Sequence, residues 1–200
     1  MNVVILVPWR PGNADRQKLW DFTKAWWQRD HPEWTIHEAP GPLDGPFNRS
    51  AAINEAARAA GEWDVAVIID ADVIANADAV RNGVELAQAT GQMVVTHDER
   101  VMLSKAGARK VIEGYRGSWR TAGMVERVWQ DSVSCSVVVS RSLWDLVGGF
   151  DELFVGWGRE DTAFRIAAET LTGKPLIRLS SELFHLWHPE SPEARKTSAI

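Results

Sequence analysis

Cysteine and tyrosine are nearly missing from this 200-residue chain, which has one of each, Cys135 and Tyr115. A single cysteine excludes an internal disulfide framework, so the core must rest on apolar packing, and a reduced, cytoplasmic setting is expected. Long hydrophobic runs are missing too. The apolar stretch Val3–Val7 stops at Pro8 with no basic segment before it, which argues against a secretory leader and against a spanning helix of roughly 20 apolar residues. Stable membrane insertion is therefore not expected. Nor is there an excess of positive charge. With 22 Lys+Arg against 27 Asp+Glu the formal net charge is -5, which speaks against a general grip on nucleic acid. Repeats, low-complexity tracts and linkers are absent. At 45% hydrophobic and 24% charged residues, positions 1–200 read as one soluble globular domain.

Tryptophan, by contrast, is abundant, with eleven residues. Indole suits core packing and also stacks on the apolar face of a sugar ring, and for any one tryptophan the core is the better reading. The continuous β-branched run NVVILVP at 2–8 reads as a strand buried on both faces. Residues 13–30 read as a helix with Leu19, Phe22, Trp26 and Trp27 near one stripe. A short strand follows at 34–40, then a Gly/Pro-dense loop at 41–46, an alanine-rich helix at 48–61, and the strand WDVAVIID at 63–70. Further on come a helix near 76–90, a strand in GQMVVTH, a helix near 101–113 and a glycine-bearing loop at 114–123 that reads as mobile. SCSVVVS reads as strand, RSLWDLVGGF and DTAFRIAAETLTG as helices, and KPLIRLSSELFHLW as extended chain. Strands alternating with helices imply an α/β fold with a mostly parallel sheet.

Three constellations carry chemistry. Asp70-Ala71-Asp72 closes the most apolar strand, and alternation along an extended chain lets both carboxylates converge. Ligands of open α/β sheets bind at the carboxyl ends of strands, and two adjacent acids there suit a divalent cation. HLWH supplies His185 and His188; on an extended chain, residues spaced by three face opposite ways, so only one is expected at a given metal. Carboxylates with an imidazole suit Mn²⁺ better than Mg²⁺. The third constellation is GWGREDTAF at 156–164. Its glycines free the backbone around Trp157, and Glu160 and Asp161 stand where a helix begins. Acids in a first turn complement the helix dipole, but that does not explain Gly-Trp-Gly. A carboxylate base beside a surface that holds a sugar ring does.

FVGWGREDTAF resembles the GWGxED signature of inverting glycosyltransferases of the GT-A fold, above all the β-1,4-galactosyltransferase and bacterial chondroitin-polymerase type. VPWRPGNADRQKLW, PFNRSAAINEAARAAG, IIDADV and SCSVVVSRSLWDLVGGFDELF resemble the family's other segments in the same order. The resemblance implies a single GT-A domain with a mostly parallel central sheet flanked by helices. It also implies transfer of a hexose or N-acetylhexosamine from a UDP-sugar to a hydroxyl of a glycan, protein or other acceptor. It assigns Pro8, Arg10, Asn48 and Arg49 to the nucleotide donor and Asp72 to the metal, with Asp70 on ribose or metal. Trp157 falls to the donor and acceptor pocket, Asp161 to the catalytic base, Glu160 to sugar hydroxyls, and His185, with His188 second, to the C-terminal metal ligand. The metal implied is Mn²⁺, with Mg²⁺ the alternative. Arg159 departs from the family by replacing the second glycine of GWGGED. Two other readings compete: a carbohydrate-binding domain of the same fold without turnover, and a sugar-nucleotide nucleotidyltransferase. The nucleotidyltransferase reading lacks its Gly-rich phosphate loop, because PWRPGNADR holds one glycine.

Overall fold

The computed structural model describes residues 1–156 and 158–189. In chain order the elements are β1 (Val3–Pro8), α1 (Ala14–Asp30), β2 (Thr35–Ala39), α2 (Arg49–Ala59), β3 (Val65–Ile69), β4 (Val73–Ala75), α3 (Ala77–Thr90) and β5 (Val94–Val95). They continue with β6 (Glu99–Leu103), α4 (Lys105–Ile112), β7 (Val125–Gln130), β8 (Ser136–Ser140), α5 (Arg141–Val147), α6 (Glu160–Thr172), β9 (Ile177–Arg178) and β10 (Glu182–His185). The main sheet runs β2-β1-β3-β8-β5-β9. Only β8 runs against its neighbours. A smaller sheet, β4-β10-β6-β7, stands beside it.

The local chemistry of the chain accounts for these elements. All residues of β1, β3 and β8 are buried, as helices on both faces of a sheet require. Alternation of apolar with polar residues is therefore absent from these strands, and β-branched side chains crowd both of their faces. Asn13, Asn48, Asn76, Ser104 and Ser140 each cap the helix that follows with a side-chain oxygen, while Gly91, Gly148 and Gly173 close three helices in the left-handed conformation. Of the tryptophans, Trp9, Trp20, Trp27 and Trp63 are buried, and Trp26, Trp34, Trp119, Trp144 and Trp187 are partly buried against core clusters. Core packing thus takes most of the indoles.

The region from 98 to 131 departs from expectation. The helix read near 101–113 is a strand, β6, followed by the shorter α4, and the boundary is Ser104, whose hydroxyl accepts from Gly107 N at 2.9 Å. β7 carries no clear periodic signal because, as an edge strand, it has no buried residue on either face. Trp119, in the segment after α4, is turned away from the end of β10. Trp119 packs on Phe184 with ring centroids 5.2 Å apart, and neighbouring residues of a strand face opposite ways, so this contact is on the side of β10 away from His185.

One buried polar tie holds the approach to α6. Asn54 of α2 donates to Phe150 O at 2.8 Å and accepts from Phe150 N at 2.9 Å. A Cβ on Gly149 would stand 2.8 Å from Asn54 Oδ1, and Gly149 has φ +83. Gly149→Ala is therefore expected to lower stability by about 1–3 kcal/mol, read as a lower midpoint in urea unfolding.

Candidate active site

The carboxyl end of β3 is anchored from three directions. Thr23 Oγ1 of α1 donates to Ala71 O at 2.6 Å, Asp70 N donates to Cys135 O at 3.1 Å, and Leu186 N donates to Asp72 O at 2.9 Å. The last bond, with the antiparallel pairing of β10 on β4 that sets His185 opposite Val73, brings both histidines to Asp72. His185 Nε2 is 3.4 Å and His188 Nε2 3.1 Å from the Asp72 carboxylate. Ligand atoms of the three residues all lie within 4.8 Å of one another. Both histidines reach the cluster, not one, because β10 ends at His185 and strand alternation does not extend to His188. Arg16 of α1, which sequence reasoning missed, adds an ion pair to Asp72 at 3.0 Å. Its signal lies only in the contact between distant segments.

Asp70 does not join this cluster. Its carboxylate is held by Arg49 at 2.8 Å. The same guanidinium reaches Asp161 at 2.7 Å and Glu160 at 3.3 Å. Arg49 thus sits at the start of α2 as a hub for three acids, joining the end of β3 to the first turn of α6. α6 has no side-chain cap, so Glu160 and Asp161 face its N-terminus and Arg49 together. Gly156 and Gly158 have φ 92 and 97, and Arg159 has φ 78. The position where GWGGED has its second glycine is left-handed here as well, a conformation that costs an arginine more than a glycine. Trp157 lies outside the described residues.

The other expected donor residues are placed as follows. Pro8 ends β1, next to the carboxyl end of β3. Arg10 donates to the carbonyl oxygens of Gly45, at 3.0 Å, and Pro42, and so braces the 41–46 loop. Asn48 caps α2 through Ala51 N at 2.9 Å and donates to Glu152 O at 2.7 Å, which ties the start of α2 to the segment before α6. A cleft of about 1020 Å³ lined by Phe22, Trp26, Tyr115, Trp119 and Phe184 among others includes none of these acids in its walls.

The chain is similar to known proteins in part of its sequence and in its fold. Residues 124–186 match the model of the family described as the N-terminal domain of galactosyltransferase, a span that holds Glu160, Asp161 and His185. A mutant Drosophila β-1,4-galactosyltransferase 7, solved with manganese, UDP-Gal and xylobiose, is similar at TM-score 0.61 and 17% identity, over 100% of this chain and 75% of that one. The catalytic domain of the same Drosophila enzyme with xylobiose is similar at TM-score 0.56 and 14% identity, over 99% and 79% of the two chains. A glycosyltransferase involved in glycosylation of the major capsid of PBCV-1 is similar at TM-score 0.52 and 13% identity over 100% of both chains. No curated protein matches. This is the GT-A glycosyltransferase fold.

Within the GT-A frame the electrostatics separate two kinds of acid. Burial works against charge on Asp72, but His185, His188 and Arg16 outweigh it and hold the carboxyl well below the usual carboxylate range. Burial lowers the His185 imidazole, with the charge of Asp72 opposing it. Burial also opposes charge on His188, but its hydrogen bond to Asp72 prevails and raises it. For Asp161, burial, helped by the charges of Glu160 and Asp70, prevails over Arg49 and pushes the carboxyl up to about 7. An acid poised there can take a proton at neutral pH.

The donor set fits a divalent metal. Asp72 Oδ1 and His185 Nδ1 are buried with no hydrogen-bond partner among the described residues, and a carboxylate with two imidazoles suits Mn²⁺ better than Mg²⁺.

Proposed function

We propose that this chain is a metal-dependent inverting glycosyltransferase, carried by one domain over residues 1–200, that moves a hexose or N-acetylhexosamine from a UDP-sugar to an acceptor hydroxyl of a glycan, protein or other molecule. The observation that carries the reading is the arrangement around Asp161: a buried carboxylate pushed up to about 7, tied through Arg49 to Asp70, beside the Asp72, His185 and His188 cluster. The Drosophila enzyme of similar fold was solved with manganese and UDP-Gal, which supports the same donor class here. With Asp70, Asp72, Glu160 and Asp161 all present, the reading of a binding domain without turnover has no observation in its favour.

In this reading Asp161 accepts the acceptor's hydroxyl proton. The oxygen bonds to the anomeric carbon, and the bond from that carbon to the diphosphate oxygen breaks, its electron pair leaving with the diphosphate. One displacement inverts the carbon. Glu160, 3.3 Å from Arg49, hydrogen-bonds sugar hydroxyls. Asp72, His185 and His188 would hold Mn²⁺, which when bound supplies positive charge for the leaving diphosphate. With one buried cysteine and no described helix long and apolar enough to cross a membrane, the cytoplasm is the proposed site of action.

The test is release of UDP from a panel of UDP-sugars with Mn²⁺, in which water serves as the slow acceptor. Release from at least one donor, abolished by EDTA, is the expected result, and no release from any donor counts against the proposal. In calorimetry, Asp72→Asn and His188→Ala should each lose Mn²⁺ binding while the fold, followed by circular dichroism, persists; undiminished binding in both would move the metal elsewhere.

A further inference from the structure

Arg100, near this site, has no acid within ion-pair distance among the described residues. It lies on β6, where it pairs with Leu183 of β10 in a parallel register that also pairs Met102 with His185. Directly paired residues share a face of the sheet, so Arg100 projects to the same side as His185. Its Nη1 lies 3.2 Å from Ser134 Oγ and 3.3 Å from Cys135 Sγ, and its guanidinium carbon is 5.9 Å from the centroid of the Trp129 ring. The carbonyl oxygen of Cys135 in turn accepts the backbone N–H of Asp70 at 3.1 Å. The guanidinium therefore lies against Cys135, whose backbone is tied to the carboxyl end of β3.

What it meets there is incomplete. Arg16 is paired with Asp72, and Arg49 with three carboxylates. Arg100 has no carboxylate within ion-pair distance among the described residues, and its Nε is buried with no hydrogen-bond partner. A guanidinium stays charged at any working pH, and a partly buried charge without a counterion is unfavourable. Two more features mark the spot. Cys135 has φ 76, a strained conformation for a residue with a side chain, and neighbouring His97 is fully buried with neither ring nitrogen bonded. An arginine without a carboxylate partner, a buried Nε without a hydrogen-bond partner and local strain together suit an anion brought by a ligand.

We infer that Arg100 binds an oxyanion of the nucleotide-sugar donor. The inference rests on the transferase reading. The oxyanion has two sources, the diphosphate or a carboxylate on the transferred sugar, and binding measurements separate them. UDP, UDP-glucose and UDP-glucuronic acid are titrated by calorimetry with Mn²⁺ into wild type, Arg100→Met and Arg100→Lys, with thermal melts to show that each variant folds. Weakening of all three ligands by about 10–100-fold in the methionine variant, partly restored by lysine, assigns the diphosphate. Weakening of UDP-glucuronic acid alone assigns the sugar carboxylate. Equal binding by the folded variants and wild type overturns the inference while leaving the transferase reading intact. If the methionine variant does not fold, the lysine variant decides, because it keeps the charge and loses the paired donors. Failure of wild type to bind any of the three ligands overturns the transferase reading and this inference with it.

Discussion

Asp161→Asn is expected to lower the rate of sugar transfer by about 10²–10⁴-fold, the contribution typical of a positioned general base. Asparagine keeps the shape and can still accept a hydrogen bond from Arg49, which lies 2.7 Å from the native carboxylate, but it cannot take up the acceptor's proton. The pH profile separates this loss from misfolding. Burial pushes Asp161 up to about 7, so the wild-type rate rises with pH through about 7 as the carboxylate forms, and this limb vanishes in the variant. Stability carries the same group with its own sign. The folded state holds the Asp161 proton more tightly than the unfolded chain, whose ordinary value is 3.8. The stabilising contribution is therefore complete below about 4 and is lost as pH rises through 7. Thermal melts of the asparagine variant should lack this component.

Arg49→Met is expected to cost about 3–5 kcal/mol of stability, the range for removing one partner from a buried ionic cluster. Its guanidinium is the shared counterion of Asp70, Glu160 and Asp161. Without it three acids face one another between β3 and α6 with no shared cation. At about 2–4 °C per kcal/mol for a domain of this size, the melting temperature falls by roughly 10 °C. The deficit should shrink in acid, where protonated carboxyls no longer need a cation. Arg49→Lys keeps the charge but lacks the fork that touches three acids, and should fall between the two. Differential scanning calorimetry across pH checks both points, and equal melting temperatures for wild type and Arg49→Met would show that the hub contributes nothing.

These expectations indicate how much the chain reveals by itself. β1, β3 and β8 are legible because strands buried on both faces leave continuous β-branched runs, and α2 because alanines follow an Asn48 cap. Asp72, His185 and His188 are legible as residue types with a metal's preferences. That both histidines arrive together is not, because it depends on where β10 stops and on a bond from Leu186 to Asp72. β6 and β7 escape a sequence reading since their burial is set by pairing with each other and with β10, not by a period within either strand. Arg16, Arg49 as a hub, and Arg100 depend on contacts between segments far apart in the chain, and charge in a surface-like sequence context does not announce them.

The central claim is a single displacement driven by one carboxylate base, and the anomeric configuration of the product tests it most directly. With an α-linked UDP-sugar and Mn²⁺, proton NMR taken before the free sugar equilibrates should show the β-anomer as the first product. The α-anomer appearing first would mean retention, and would contradict both the one-step reaction and the role given to Asp161.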